Sequence, residues 1–227
     1  IKVYLNGKLD GVIKTWYANE ELNVEGRYKN NYKEGEWVWY TKEGTVEMKG
    51  SFKESKQHGT WTYYFDNGQV ESIGEFAMDQ REGEWKMFYK IGAKWKNGTY
   101  HNDKKDGHWQ TFFEDGQLLQ EGDFSAGKEN GLWSAWYQNG QLKDEGTYDK
   151  GIMNGSWKGY FDNGKLNYQG EQNQGKKAGT WQYGYINGET RETGSYKNGL
   201  KDGSWEYYFD SGNLDYTTSY TNGSKDG

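Results

Sequence analysis

Glycine recurs every 24 residues along this chain of 227 residues, and that spacing is the feature that most constrains the fold. The triplet G-x-W begins at eight of these positions, namely Gly35, Gly59, Gly83, Gly107, Gly131, Gly155, Gly179 and Gly203. Gly11 and Gly227 lie on the same grid. A fixed period of roughly 20 to 50 residues is the signature of a repeat architecture, in which each repeat packs on its neighbours. We therefore predict one continuous array over residues 1–227, with no internal domain boundary.

The grid divides the chain into a partial repeat and nine full repeats. The partial repeat covers residues 1–10, and the full repeats cover 11–34, 35–58, 59–82, 83–106, 107–130, 131–154, 155–178, 179–202 and 203–226. We number them repeats 1 to 9, and we call the 24 positions of each repeat slots 0 to 23, with the grid glycine in slot 0. Because the chain opens in mid-repeat and without a starting methionine, we expect the natural protein to extend beyond one or both ends.

Aromatic residues dominate the apolar part of the composition. They make up 18% of the sequence, and all hydrophobic residues together make up only 32%. This leaves too little Leu, Ile and Val for a conventional two-layer core. Disordered chains are poor in aromatic residues, so we interpret this chain as ordered, with rings packed on glycines providing the stabilising burial.

Each repeat begins with a strand-like run. Slot 2 is Trp in eight of the nine repeats, and slots 5 and 6 are each aromatic in eight, which favours a strand over slots 1 to 6. Slots 8 and 9 then carry Asn-Gly or Asp-Gly in several repeats, as at Asn67-Gly68 and Asp115-Gly116. Since a type I′ turn needs positive φ at both central residues, these pairs predict two-residue hairpin turns.

A two-residue turn at slots 8 and 9 fixes the register, so that slots adding up to 17 face each other. The slot 2 Trp then lies opposite slot 15, which is glycine in eight repeats, and the slot 17 aromatic residue lies opposite the slot 0 glycine. The same register places slot 6 opposite slot 11. A polar second turn at slots 19 to 23 joins successive repeats. The expected fold class is all-β: an elongated, single-layer antiparallel meander of β-hairpins.

The repeat G-x-W-x-x-Y-(Y/F)-x-(N/D)-G-x-L-x-x-E-G-x-Y-x-N-G-K-x-D resembles the bacterial variant of the MORN repeat, of the kind found in YwqK-family antitoxins. Nine in-phase copies carry the resemblance over the whole chain. It implies stacked hairpins that serve as scaffolds for protein assembly or membrane-associated contacts, with no catalytic residues. The repeat also resembles the aromatic-rich choline- and glucan-binding repeats of cell-wall proteins, but those are shorter and lack the G-x-W opening in this phase.

Little in the sequence could carry catalysis or hold a cofactor. The absence of cysteine excludes thiolate metal sites and disulfides, and there is no phosphate-cradling glycine loop and no Ser-His-Asp pattern. A net charge of −6 in mixed signs argues against a nucleic-acid partner, and no apolar run approaches a transmembrane segment. We predict a protein that is not an enzyme and binds no cofactor, no metal and no nucleic acid.

One loose metal site can nevertheless be drawn. His101 and His108 flank an inter-repeat turn that also carries Asp103 and Asp106. Lysines share that turn, and other repeats carry Asn, Asp or Lys there as ordinary turn residues. We therefore interpret these residues as part of a solvated turn.

The aromatic row in slot 5 is the candidate interaction site. By strand parity, slots 2, 6, 11, 15 and 17 share one face, whereas slot 5 projects from the other, among the polar slots 14 and 16. The rings either shield the sheet or form a binding strip for an extended protein segment or a glycan, since exposed apolar surface tends to mark interaction sites. The candidate partner-binding residues are Tyr40, Tyr64, Phe88, Phe112, Trp136, Tyr160 and Tyr208.

Three functions fit this pattern: a scaffold for protein–protein interaction or assembly, a carbohydrate-binding module of the cell envelope, and an antitoxin-like neutraliser of a partner protein. Departures from the repeat mark a bend, a partner contact or neutral drift. They include Ile13 and Glu20 in repeat 1, Lys94 and Trp95 in repeat 4, Gln172 in repeat 7, Gly184 in repeat 8 and Thr218 in repeat 9. Tyr168 is a candidate to compensate for Gln172.

Overall fold

The computed structural model describes residues 3–226; Ile1, Lys2 and Gly227, the last glycine of the grid, lie outside the described residues. The chain divides into two compact units, the first ending at Gly116 and the second beginning at Gln117. In the described part of the chain every regular element is a β-strand, and no helix could span a membrane. The single continuous array stays a prediction.

Both units consist of short antiparallel strands, most of them eight or nine residues long. The first unit contains β1 Tyr4–Leu5, β2 Lys8–Leu9, β3 Gly11–Trp16, β4 Leu22–Lys29, β5 Tyr32–Tyr40, β6 Val46–Lys53, β7 Lys56–Tyr64, β8 Val70–Ala77, β9 Gln80–Phe88, β10 Lys94–His101 and β11 Lys104–Phe112. The second unit contains β12 Leu118–Ser125, β13 Lys128–Trp136, β14 Leu142–Asp149, β15 Ile152–Tyr160, β16 Leu166–Asn173, β17 Lys176–Gly184, β18 Thr190–Lys197, β19 Leu200–Tyr208, β20 Leu214–Thr221 and β21 Ser224–Asp226.

Within each unit, each strand pairs with the strands that precede and follow it in the chain. In the first unit β3 to β11 pair in sequence order, and β1 and β2 form a separate two-stranded sheet. In the second unit β12 to β21 pair in the same way. The prediction of an all-β antiparallel meander of repeated hairpins is confirmed.

The predicted register holds across the middle of the hairpins that lie within each unit. In repeat 3, Trp61 faces Gly74 and Gly59 faces Phe76, as slots adding up to 17 require. The preceding strand pair, β6 and β7, shows which ring covers the glycine: Gly50 faces Trp61 of the following repeat, and a Cβ on Gly50 would lie 2.2 Å from Cδ2 of that ring. Slot 15 is therefore glycine because the tryptophan of the next repeat lies directly on its backbone.

The slot 2 tryptophans form the buried core of each unit. Trp61 is 1% exposed, and its indole N–H donates to the carbonyl of Ser51 at 3.1 Å. The ring of Phe52 meets it edge-on, with centroids 5.2 Å apart. The same indole-to-carbonyl bond occurs at Trp37, Trp85, Trp109, Trp133, Trp157, Trp181 and Trp205. Each edge-to-face pair adds roughly 0.5 to 1.5 kcal/mol to the area that it buries.

The hairpin turn differs from the predicted type I′ turn. The N–H of Gly68 donates to the carbonyl of Phe65 at 2.9 Å, and only Gly68, not Asn67, takes a positive φ, of 82°. This is a type I turn followed by a left-handed glycine, a longer loop than the predicted one. The extra residue shifts the register, so that Tyr64 in slot 5 faces Val70 in slot 11. The prediction that slot 6 faces slot 11 is wrong for this reason.

The asparagine in slot 8 serves as a link between repeats. Asn67 Oδ1 accepts the N–H of Gln69 at 3.1 Å, and Nδ2 donates to the carbonyl of Lys90 in the next hairpin turn at 2.8 Å. Asn19, Asn139, Asn163 and Asn187 repeat this arrangement. Asn-Gly is thus selected by a local side-chain bond and a turn-to-turn bond, and not by two positive φ angles.

Two consecutive positive φ angles occur in the other turn, at slots 19 and 20. Asn198 and Gly199 have φ of 53° and 87°, the pattern of a type I′ turn. In the first unit these slots carry side chains that the left-handed region disfavours, such as Glu54 and Ser55 with φ of 51° and 68°. Ser55 Oγ accepts the N–H of Lys33 in the preceding turn at 2.8 Å. The side chain therefore adds a bond between neighbouring turns, which offsets part of the backbone cost.

Two departures from the repeat have a structural explanation. Tyr168 stacks on Trp181, with centroids 6.1 Å apart, and covers Gly159, where a Cβ would lie 2.3 Å from the tyrosine ring. In other repeats an aromatic residue in slot 17 packs on the tryptophan of the next repeat. In repeat 7 that slot holds Gln172, and Tyr168 packs on Trp181 instead. Thr218 replaces a slot 15 glycine in the last repeat. Within residues 3–226 no tryptophan follows Trp205, and no later ring covers Thr218 in the described structure.

Candidate functional site

The seven predicted slot 5 residues each end the first strand of a hairpin, and all seven are half-buried. The hydroxyl of Tyr40 donates to Glu25 at 3.0 Å, and that of Tyr208 donates to Glu206 at 2.6 Å. Burial, and then the bond with Glu25, raises the pKa of Tyr40. These contacts place Tyr40 and Tyr208 beside the polar slots 14 and 3, respectively. Whether the row binds a partner stays a prediction.

The tryptophan side of the sheet carries a feature that the sequence analysis missed. In several repeats a lysine in slot 22, four residues before the tryptophan, lies over the aromatic rings. The Nζ atoms of Lys33, Lys177 and Lys201 lie 4.7, 4.5 and 3.7 Å from the ring centroids of Trp37, Trp181 and Trp205. These are cation–π distances. The recurring K-x-x-x-W spacing in the sequence is the signal that could have revealed them.

A cavity of about 540 Å³ opens in the first unit, next to the off-pattern Trp95. We call it the first cavity. Its apolar walls are Phe65, Trp85, Met87, Phe88, Tyr89 and Trp95. Trp95 is 37% exposed, and its ring centroid lies 6.0 Å from that of Tyr89. Phe88 is the one predicted slot 5 residue that lines it, so the first cavity reaches the predicted strip.

The cations at the first cavity are already paired within the protein. Lys90 Nζ lies 2.6 Å from Asp66, and Arg81 Nε lies 3.0 Å from Asp103. The Lys90 hydrogen bond lowers the pKa of Asp66, and the backbone and side chain of Arg81 lower that of Asp103. Glu71 also lines the cavity and is exposed. The rim therefore offers a carboxylate, while the two cations that line the cavity are paired. Lys96 lies over the outer wall, with Nζ 4.0 Å from the Trp95 ring centroid.

A second cavity, of about 300 Å³, lies on the tryptophan side of the second unit. Its aromatic walls are Trp133, Tyr148, Trp157 and Tyr168. Asp144 is half-buried in it and accepts a hydrogen bond from the Tyr168 hydroxyl at 2.5 Å. Burial, followed by the charge of Asp144, raises the pKa of Tyr168 well above the usual tyrosine range. Slots 4, 13 and 22, which line both cavities, were not predicted as functional.

The histidine turn is arranged for an ion pair. His101 Nδ1 lies 2.8 Å from Glu82 Oε1, and this hydrogen bond raises the pKa of His101. Glu82 also accepts the N–H of Asn102 at 3.0 Å. Within residues 3–226, no three His, Asp or Glu side chains are grouped so that they could hold a metal ion.

Seven segments of the chain match the family model described as the MORN repeat variant. The matched residues are 9–30, 33–54, 57–77, 105–126, 129–150, 153–173 and 201–222, which together exceed half of the chain. The chain belongs to the MORN repeat variant family. Its hairpins are therefore MORN repeats, and each match begins two residues before a grid glycine and ends near the following inter-repeat turn.

Two stretches of these MORN repeats, residues 78–104 and 174–200, lie outside the family match. The first contains Trp95, the second contains Gly184, and both residues depart from the pattern of the other repeats. Most of the residues that line the first cavity lie in the first stretch, including Trp85, Phe88 and Trp95. The first cavity thus lies where the sequence leaves the family pattern.

No curated protein matches the chain. Among solved structures, a TcdB2–TccC3 crystal structure is 12% identical with a TM-score of 0.22, over 95% of this chain and 17% of that chain. A TcdB2–TccC3–Cdc42 crystal structure is 10% identical, with a TM-score of 0.22 over 94% and 13% of the two chains. A Photorhabdus luminescens Tc holotoxin pore is 11% identical, with a TM-score of 0.21 over 94% and 15%. The chain spans less than a fifth of the length of these structures, and the TM-scores are too low to indicate a shared fold or function.

Proposed function

We propose that this MORN-repeat chain is a non-enzymatic scaffold that binds an extended segment of another protein, anchored in the first cavity. The observation that supports the proposal is an apolar cavity of about 540 Å³ walled by Phe65, Trp85 and Trp95 among others. Ligand pockets of roughly 300 to 1,000 Å³ with mostly apolar walls and a few polar groups are typical binding sites. The partner contributes a large apolar side chain as its anchor.

The charges at the rim favour a basic residue beside that anchor. Lys90 and Arg81 are held by Asp66 and Asp103, so an acidic partner would have to displace carboxylates that already lie within 2.6 and 3.0 Å. Glu71 is exposed at the cavity and can pair with an incoming cation. Rim charges of this kind act mainly on the association rate and on specificity. We therefore propose a segment in which an apolar residue is adjacent to Lys or Arg.

Phe88 connects the cavity to the slot 5 row. It lines the first cavity, and it is followed one repeat later by Phe112 and preceded one repeat earlier by Tyr64. An extended segment anchored in the cavity would meet these rings next. The slot 5 row is in this proposal an extension of the anchor site, contributing less than the cavity because its rings are half-buried at the strand ends.

The test is selection of binders from a displayed random-peptide library, followed by affinity measurements with variants. Trp95→Ser should weaken the selected peptides at least tenfold, because a truncated anchor contact costs roughly 2 kcal/mol or more. Tyr32→Ser is the matched control, since Tyr32 is an aromatic residue that is 55% exposed in the first unit, lies outside slot 5 and does not line the cavity. Glu71→Lys should mainly slow association of peptides with a basic residue.

Undiminished binding to the Trp95→Ser protein, with circular dichroism unchanged, would contradict the cavity as anchor. If Tyr64→Ser and Phe112→Ser weaken binding while Trp95→Ser does not, the slot 5 row alone is the site. If no peptide is enriched and free sugars bind the protein, the carbohydrate-binding alternative holds instead.

A further inference from the structure

The lysines of slot 22 show which chemical group the aromatic rings surround within the protein itself. Lys201, at the end of repeat 8, reaches the rings of repeat 9: its Nζ lies 3.7 Å from the ring centroid of Trp205, and 5.1 and 5.4 Å from those of Tyr207 and Tyr220. Lys177 is placed likewise against Trp181, at 4.5 Å, with Tyr183 and Tyr196 at 5.0 and 5.1 Å. The rings of slots 2, 4 and 17 therefore form a box around an ammonium group, twice within the second unit.

At the second cavity the same positions carry different residues. Glu129, four residues before Trp133, stands where Lys177 and Lys201 stand in the later repeats. Ala135, two residues after Trp133, stands where those repeats have an aromatic residue. The slot 17 ring is retained as Tyr148, whose centroid lies 6.2 Å from that of Trp133. The next repeat has Met153 in the lysine position. Removing the cation and one wall leaves the second cavity of about 300 Å³.

The electrostatics of the second cavity favour a positive ligand. Tyr148 meets Trp157 edge-on with centroids 5.3 Å apart, so the aromatic wall is continuous from Trp133 to Trp157. Asp144 lines the cavity, and no Lys or Arg is among its described lining residues. Burial, and then the charges of Glu129 and Asp144, raises the pKa of Tyr148, which indicates that both carboxylates act on this ring. Ring faces attract cations, and the carboxylates add to that attraction.

We propose that the second cavity binds an alkylammonium cation, with the charged head against the aromatic wall of Trp133, Tyr148 and Trp157 and beside the Asp144 carboxylate. The aromatic walls accept the alkyl chain, and the volume exceeds that of an ammonium head alone. The ligand takes the place that the Lys177 and Lys201 ammonium groups occupy beside Trp181 and Trp205. This inference does not depend on the proposed function, because it concerns a different cavity in the other compact unit.

The test uses the full chain and n-butylammonium chloride, followed through the indole N–H signals of Trp133 and Trp157 in NMR spectra. Saturable binding is expected, with n-butanol and butyrate at least roughly tenfold weaker, since they share the alkyl chain but lack the positive charge. Nα-acetyl-lysine amide and its Nε-acetylated form make the second arm. Preference for the lysine compound over butylammonium identifies a protein side chain as the source, and the reverse identifies a free amine.

Two variants locate the site, with a matched control. Met153→Lys places an ammonium group where Lys177 and Lys201 stand, so it should abolish butylammonium binding. Ile152→Lys adds the same charge one residue away, at a side chain 45% exposed that does not line the cavity, and should leave binding unchanged. Asp144→Asn keeps the shape and should weaken binding roughly tenfold.

Several results would overturn the proposal: equal binding of butanol and butylammonium, no saturable binding, or equal loss in Ile152→Lys and Met153→Lys. Equal loss in the two lysine variants would mean that the added net charge, and not occupation of the cavity, weakens butylammonium binding. If Met153→Lys does not fold, the Asp144→Asn titration decides alone, and unchanged affinity there also overturns the site.

Discussion

Replacing Gly50 by alanine tests the central packing argument of the fold. A Cβ on Gly50 would lie 2.2, 2.4 and 2.5 Å from three atoms of the Trp61 ring, where ordinary contact begins at 3.4 Å. The ring must therefore withdraw by more than 1 Å. It cannot do so freely, because its N–H is bonded to Ser51 at 3.1 Å and its faces and edges meet Trp39 at 5.7 Å and Phe52 at 5.2 Å.

The expected cost of Gly50→Ala follows from these contacts. Overpacking a well-packed site costs roughly 1 to 3 kcal/mol, and a buried N–H left without a partner costs roughly 1 to 3 kcal/mol more. We therefore expect the free energy of unfolding to fall by about 3 kcal/mol or more. If the site could admit a methyl group, the same change would stabilise the protein by roughly 0.4 to 1 kcal/mol, because alanine restricts the unfolded chain. The sign of the change in the free energy of unfolding therefore shows whether the site can admit a methyl group.

Urea unfolding, followed by tryptophan fluorescence and circular dichroism, measures the change. Thr218→Ala is the control at the same slot, where no later tryptophan of residues 3–226 covers the residue. Its buried hydroxyl has no hydrogen-bond partner in the described structure, so removal should be neutral or slightly stabilising. In a Trp61→Ile background, with the residue type that stands at Ile13, Gly50→Ala should cost little, which gives a large coupling energy. A Gly50→Ala protein as stable as the parent would refute the packing argument.

Three further changes probe the turns. Glu20→Gly should raise the free energy of unfolding by roughly 0.5 to 1 kcal/mol, because Glu20 has φ of 68° in the slot where other repeats have glycine; urea unfolding checks it. Asn67→Ala should cost about 1 to 2 kcal/mol and speed amide exchange in its turn, because it removes the bond to Lys90, whereas Asn67→Asp should keep the local acceptor bond and cost less. Glu82→Gln should lower the raised pKa of His101 in an NMR titration; an unchanged pKa contradicts the ion pair. Since that pKa is raised on folding, the pair stabilises the protein fully below the ordinary histidine pKa, and the contribution is lost as pH rises through the pKa of His101.

The sequence predicted the fold because its strongest signals are set by single, local causes. A glycine at slot 15 and a Trp at slot 2 are required by one contact, such as that of Gly50 with Trp61, so the period and the register could be inferred from spacing alone. The turn types could not, because Asn-Gly suits more than one turn. Asn67 is used for its side-chain bonds to Gln69 and Lys90, which depend on the neighbouring repeat.

The candidate sites were harder to predict for a different reason. The slot 5 row is visible in the sequence because aromatic residues recur there at a fixed spacing. A cavity is harder to see, because it forms where one repeat lacks side chains that the other repeats have. The second cavity exists because Ala135 and Met153 replace a ring and a lysine, and the first because Trp95 stands outside the usual pattern. Single residues of this kind resemble drift in the sequence. Their effect is apparent only when slots 4, 13 and 22 are seen to share the tryptophan side of the sheet.

The structure separates the slots that hold the fold from those free to vary. Slots 2, 15 and 17 supply the Trp–glycine contact and the edge-to-face rings, as at Trp61, Gly50 and Phe52, and a change there acts on the packing of two repeats at once. Slots 4, 13 and 22 lie beside this core without forming it: slot 4 is Trp39 in one repeat and Ala135 in another, with the Trp–glycine contact intact in both. In a repeat array, stability is approximately a sum of repeat and neighbour terms, so such substitutions change one local surface at little global cost. Specific binding is therefore expected to reside in these variable slots, where both cavities are found, more than in the slot 5 rings that recur almost unchanged.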